Sequence, residues 1–142
     1  MIYTPMTKMA MKLCFQAHKE QTDKSGIPYV FHPIHLAEQM SDEETTIVAL
    51  LHDVLEDTDC TARDLREMGF SESVIRAIET MTHPDGMDYM SYVAEIGKNP
   101  IARQVKLADL RHNSDLSRLD QVDEKALARM EKYRAAMKLL MG

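Results

Sequence analysis

The stretch LLHDVLEDTD, Leu50 to Asp59, decides how this chain is read. It begins as a core-forming helix and then sets down His52, Asp53, Glu56 and Asp57 within two turns. On a helical wheel advancing about 100° per residue, Ile47, Val48, Val54 and Leu55 fall within about 60° of Leu51 and form a core-facing stripe. The four polar residues fill the opposite arc, with His52 over Glu56 and Asp53 over Asp57, because positions i and i+4 share a face. That arc is either the solvated back of an amphipathic helix or a metal site. Asp53, Glu56 and Asp57 repel one another with no Lys or Arg between them, so a cation would be welcome there. The adjacent imidazole and carboxylate of His52 and Asp53 form a mixed N/O donor set that suits Mn, Fe or Zn.

A metal needs more ligands than one helical segment can aim at a point. Two residues outside the stretch are candidates. His32, in YVFHPI, stands at a loop-to-helix junction. Asp109, in VKLADLRHN, lies among Val105, Leu107, Ala108 and Leu110, where a carboxylate is costly unless it is paired or metal-bound. An ion pair with Lys106 or Arg111 would also account for Asp109.

The rest of the chain reads as helix. Met6, Ala10, Leu13, Cys14 and Ala17 form the stripe of a helix reaching about Gln21. Gly26 and Pro28 break regular structure, and Pro33 opens a short helix over Ile34 to Met40. Asp42 or Glu43 begins the helix of the opening stretch. Thr61 and Asp64 resemble a capping box for a helix ending at Gly69, and Ser71 caps the next. HPDG, His83 to Gly86, is a turn, followed by a helix over Tyr89 to Ile96. Asn99 and Pro100 start a helix through IARQVKLADLRHN. The last helix, Asp123 to Met141, is expected to bury Leu127, Met130, Ala135 and Leu139. No alternating strand pattern or repeat occurs, so the expected fold is all-α, about eight helices in one domain over residues 1–142. The 12 methionines fall at apolar helical positions and read as gap-filling core rather than a metal box.

Composition narrows the function classes. With 44% hydrophobic and 28% charged residues the chain is neither disordered nor membrane-like. No apolar run reaches the length of a bilayer span, and the N-terminus has no signal-peptide pattern. A net charge of −6 argues against a nucleic-acid polymer as partner, whereas a small anionic ligand remains open if a metal or local cations offset the field. Cys14 and Cys60 form no CxxC or disulfide framework, so a cytoplasmic setting is expected.

His32, His52–Asp53 and Asp109 match the H…HD…D pattern of the HD-domain metal-dependent phosphohydrolases. More narrowly, AHKEQTDKSGIPYVFHPIHLA, ALLHDVLEDT and VKLADLRHN resemble the signature blocks of RelA/SpoT-type (p)ppGpp hydrolase domains, including the stand-alone small alarmone hydrolases. The resemblance runs from about Ala17 to Leu119. It implies a helical HD-domain bundle with a Mn²⁺ site of His32, His52, Asp53 and Asp109, although such a donor set also accepts Fe, Zn or Ni. It implies that Glu56 and Asp57 position and activate the attacking water. It further implies a small nucleotide substrate contacted by Lys24, Ser25, Lys106 and Asn113, and hydrolysis of its 3′-diphosphate. No room is expected for a synthetase domain. Two departures bear on the base. Asp23 stands where a basic residue often precedes the loop lysine, and Leu116 stands where a threonine is common beyond the HN. Tyr29 is a pocket wall or core residue. His18 is expected in a supporting role, His35 at the surface, His83 in a turn bordering the pocket, and His112 pointing away from Asn113.

Overall fold

A computed structural model describes all residues 1–142 and is entirely helical. Nine α-helices follow in order: α1 (Pro5–His18), α2 (Phe31–Glu38), α3 (Glu43–Leu51), α4 (Val54–Asp57), α5 (Ala62–Glu67), α6 (Glu72–Thr80), α7 (Tyr89–Ile96), α8 (Pro100–Asn113) and α9 (Glu124–Met141). A 3₁₀ turn covers Leu116–Arg118. Eight of these are the helices expected, and α4 is one turn cut from the end of α3. Thr22 and Pro28 form a single antiparallel bridge that ties off the α1–α2 loop.

Polar caps set most helix starts where the sequence places them. The side chains of Asp42, Ser71, Asp88, Asn99 and Asp123 accept from backbone N–H groups in the first turns of α3, α6, α7, α8 and α9. Thr61 and Asp64 form the reciprocal capping box of α5. Gly69, at φ +93°, takes the left-handed conformation that ends α5, where a side chain would be strained. Two boundaries differ from expectation. The second helix begins at Phe31, so His32 is inside its first turn and Pro33 is its third residue. The first helix stops at His18.

The central element is α3. It packs against α1, α2, α6 and α8, and every residue from Thr45 to Leu51 is buried. A helix covered on all sides has no wet back, so the one-sided stripe expected for it is corrected to all-round burial. Nor does the helix run on through the acidic residues. His52 Nδ1 donates to the Ala49 carbonyl at 2.8 Å, the acceptor that the Asp53 N–H would use in an uninterrupted helix. Asp53 then adopts φ −102°, ψ 1°, and α4 starts afresh at Val54.

The face of α9 is also corrected. Ala126, Ala136 and Leu140 are its buried residues, whereas Leu127 and Leu139 are 52% and 46% exposed and Ala135 faces solvent. The methionine reading holds in part: Met40 and Met81 reach the core, while Met9, Met68, Met90 and Met141 lie on the surface.

Candidate metal centre and active site

Three helices converge on one buried point. α2 supplies His32, the end of α3 supplies His52 and α8 supplies Asp109, all nearly inaccessible to solvent. One ligating atom from each lies within 4.8 Å of the others, a spacing that a single metal ion can bridge. His32 Nε2 is 2.8 Å from Asp109 Oδ1, and His52 Nε2 is 3.7 Å from the same oxygen. Asp53 stands beside this group, its Oδ2 3.3 Å from His52 Nε2, and the Tyr29 hydroxyl donates to that same Oδ2.

The hydrogen-bond pattern fixes which nitrogens can ligate. Because His52 Nδ1 donates its proton to a carbonyl, the neutral ring presents a lone pair at Nε2, and that atom is buried with no hydrogen-bond partner. His32 Nδ1 lies 2.7 Å from His112 Nδ1. Burial, Arg118, His32 and His35 push the His112 imidazole down to about 4, so it is neutral and can accept there. Without a metal, His32 Nε2 donates to the Asp109 carboxylate at 2.8 Å; a proton held instead on Nδ1 against His112 would leave Nε2 free to ligate.

The electrostatics show a centre in need of positive charge. Burial alone would lower the pKa of His52, but Asp53 and Asp109 outweigh it and hold the imidazole well above its ordinary value. Burial opposes ionisation of Asp109, yet Lys106, His32 and His52 keep its carboxyl well below the usual range. Asp53 is likewise held at about 2, against burial, by His52 and the Tyr29 hydroxyl. A buried imidazole that keeps a proton only because two carboxylates face it is a position where a divalent cation displaces the proton. The donor set therefore fits a divalent transition metal.

The remaining predicted residues fall into two groups. Glu56 and Asp57 are carried by α4 to the exposed rim of the centre. Glu56 Oε1 accepts the His83 N–H at 2.7 Å, and Gln21 donates to the Asp57 carbonyl at 3.4 Å. Burial, Asp53 and Glu56 raise the Asp57 carboxyl above its ordinary value, which makes it a better proton acceptor. Lys24, Ser25 and Asn113 line a cavity of about 390 Å³ together with Tyr29, Leu116, Arg118, Leu119, Met130 and Tyr133. Lys106 does not line it; its ammonium is 2.9 Å from Asp109 Oδ2 and 5.5 Å above the Tyr92 ring. The paired reading of Asp109 thus holds for Lys106, with Oδ1 still facing His32 and His52. Asn113 also turns inward, donating to Asp109 Oδ1 at 3.1 Å.

Several contacts were not read from the sequence. Tyr29 is a wall of the cavity, as one of its two readings had it, and it also holds Asp53. His112 points away from Asn113 as expected, but being three residues after Asp109 it shares that residue's face and reaches His32. Asp23 closes its own loop, accepting from Ser25 N at 2.8 Å and Ile27 N at 3.0 Å, and pairs with Arg118 at 3.7 Å. A guanidinium from the 3₁₀ turn thus stands beside position 23. His18 is buried against Tyr29 with Nδ1 2.9 Å from Gln21 Oε1, as a supporting residue would be. His35 is exposed and stacks on His112, and His83 stacks on Tyr92.

Known proteins resemble this chain in sequence and fold. A guanosine-3′,5′-bis(diphosphate) 3′-pyrophosphohydrolase of Aquifex aeolicus is 35% identical over 93% of this chain. The bifunctional (p)ppGpp synthase/hydrolase SpoT of Escherichia coli is 36% identical over 75% of it. The chain matches only 19% and 17% of those two proteins, about a fifth of their length or less. A solved structure, described as a metazoan ortholog of SpoT that hydrolyses ppGpp, superposes with a TM-score of 0.82 at 23% identity, covering 100% of this chain and 89% of that one. At that identity the likeness establishes the fold. The HD domain model matches residues 10–138, from the middle of α1 to the last turn of α9. With only the extreme ends outside that match, the chain belongs to the HD domain family.

Proposed function

We propose that the chain is a metal-dependent nucleotide phosphohydrolase that removes the 3′-diphosphate of (p)ppGpp, working as a single HD-type domain over residues 1–142. The observation that carries this reading is the orphaned Nε2 of His52, the ring nitrogen left over once Nδ1 has donated to Ala49, buried between two carboxylates and beside His32. His32, His52, Asp53 and Asp109 would hold the ion, with Mn²⁺ as the expected metal. When bound, such an ion lowers the pKa of a water ligand and neutralises phosphate charge.

This chain's own groups do the rest. Asp57, raised above its ordinary value at the rim, takes a proton from the attacking water. Glu56, fixed by the His83 N–H, orients that water. Tyr29 keeps the Asp53 carboxylate turned inward, and Lys106 and Asn113 do the same for Asp109. The nucleoside lies in the adjoining cavity against Leu116, Leu119, Met130 and Tyr133, with Lys24 and Ser25 at its mouth. The two free thiols fit a cytoplasmic setting.

A second reading keeps the chemistry and changes the base, because Leu116 brings no hydroxyl to the cavity and Asp23 is spent on its loop and Arg118. A panel of 3′-phosphorylated and 3′-diphosphorylated nucleotides, incubated with Mn-loaded protein, separates the two. Pyrophosphate released from (p)ppGpp at the highest kcat/KM supports the first reading. Preference for a non-guanine or monophosphate substrate supports the second, and no release from any member sinks both.

A further inference from the structure

The turn His83–Gly86, between α6 and α7, meets the rim of the centre at one point, and none of the chemistry above uses its side chains. There the His83 N–H donates to Glu56 Oε1 at 2.7 Å, the one hydrogen bond that the Glu56 side chain makes. That carboxylate needs an outside hold. It stands exposed on α4, a helix of four residues, and a single turn has too few internal bonds to hold its own direction firmly. With Oε1 engaged, Oε2 stays free to accept from a water.

What aims the donor is the His83 ring. Its Nε2 donates to the Met87 carbonyl at 2.6 Å and so closes the turn across its base. Its face stacks on Tyr92 of α7, with centroids 4.4 Å apart and planes 14° from parallel. Tyr92 is buried and its hydroxyl donates to the Met81 carbonyl, so it grips the chain on both sides of Thr82. Pro84 biases the His83 backbone toward extended conformations. Gly86, at φ +79°, folds the chain back so that the Met87 N–H reaches the Pro84 carbonyl at 3.3 Å. The same Tyr92 ring lies 5.5 Å from the Lys106 ammonium that pairs with Asp109. One buried ring thus carries both the turn that holds Glu56 and the lysine that holds Asp109.

We propose that His83 is a positioning residue for Glu56: the contacts of its imidazole set the direction of its backbone N–H, and that N–H sets the carboxylate that orients the attacking water. The inference rests on the phosphohydrolase reading and deepens it. His83 lies outside the lining of the cavity that takes the nucleoside, so its loss should lower kcat and leave KM alone.

The test uses the Mn-loaded full chain with (p)ppGpp as substrate. His83→Ala should lower kcat by about 10-fold, the worth of a hydrogen bond to a charged group, with KM unchanged. His83→Phe, which keeps the stack on Tyr92 and loses the bond to Met87, should fall in between. In a Glu56→Ala background His83→Ala should bring no further loss, because the group it positions is gone. Asp85→Ala, exposed in the same turn, should match wild type. A kcat for His83→Ala within about twofold of wild type overturns the proposal. So does the same fall with and without Glu56, or a comparable fall in Asp85→Ala. If the wild type cleaves no nucleotide, the phosphohydrolase reading fails, and the contact is read by NMR of labelled protein instead. An upfield shift of the His83 amide proton in Glu56→Ala supports it, and an unmoved resonance overturns it.

Discussion

Asp109→Leu removes the anion on which the buried centre turns. In the folded chain that carboxylate holds the Lys106 ammonium at 2.9 Å, His32 Nε2 at 2.8 Å and the Asn113 amide at 3.1 Å. The Lys106 and Asp109 side chains are only 12% and 7% exposed, so water screens the pair little. Removing one partner of such a pair leaves a buried charge uncompensated and costs about 3–5 kcal/mol. That is a large part of a total stability of about 5–15 kcal/mol, and at about 3 °C per kcal/mol it lowers Tm by about 10–15 °C. Lys106→Met alone should cost less, about 1.5–3 kcal/mol, because Asp109 retains its other partners. The double variant leaves neither charge stranded, so its loss should fall short of the sum of the single losses by at least about 1 kcal/mol. Urea unfolding followed by circular dichroism, with EDTA present to remove metal linkage, measures all three. A loss below about 1 kcal/mol for Asp109→Leu, or losses that simply add, would refute the view that this ion pair is buried and coupled.

Other outcomes follow from the same structure. Leu50→Ala, at a fully buried position of α3, should destabilise the chain by about 3–5 kcal/mol in the same unfolding assay; under about 1 kcal/mol would contradict the central placement of that helix. Asp42→Ala removes the carboxylate that accepts from the Thr45 N–H and should cost about 1 kcal/mol, whereas Asp42→Asn, which keeps an acceptor, should cost only a few tenths. Burial, with the Asp53 charge, pushes the Cys14 thiol up to about 12, and Cys60 is the more accessible of the two. A thiol reagent at neutral pH should therefore titrate Cys60 in the native protein and Cys14 only after denaturant; two native equivalents would place Cys14 wrongly.

How far the sequence could be read depended on whether the deciding interaction was local. Caps at Thr61, Ser71 and Asn99 are settled within three residues, and the structure keeps all of them. His32, His52 and Asp109 were legible as a group because an imidazole or carboxylate in apolar surroundings demands a partner, and the fold brings the three together. The break between α3 and α4 was not legible, because it turns on the His52 imidazole taking the Ala49 carbonyl. A helical wheel assumes that this carbonyl stays with the backbone. The face of α9 was ambiguous in principle. Its apolar residues are spread round the helix, with Leu139 about 120° and Ala136 about 180° from Leu127, and packing against α7 and α8 selects the side of Ala136 and Leu140. Arg118 reaching Asp23 and Tyr29 reaching Asp53 are contacts across the fold that spacing alone does not reveal.

The central claim is that the centre of His32, His52, Asp53 and Asp109 hydrolyses (p)ppGpp only with a metal in it. Titrating Mn²⁺ into chelator-treated protein while recording pyrophosphate release tests this most directly. The account predicts no release without metal, saturation near one equivalent per chain, and no recovery for His52→Ala at any metal concentration. Full activity in the chelated protein, or metal-restored activity in His52→Ala equal to wild type, would contradict it.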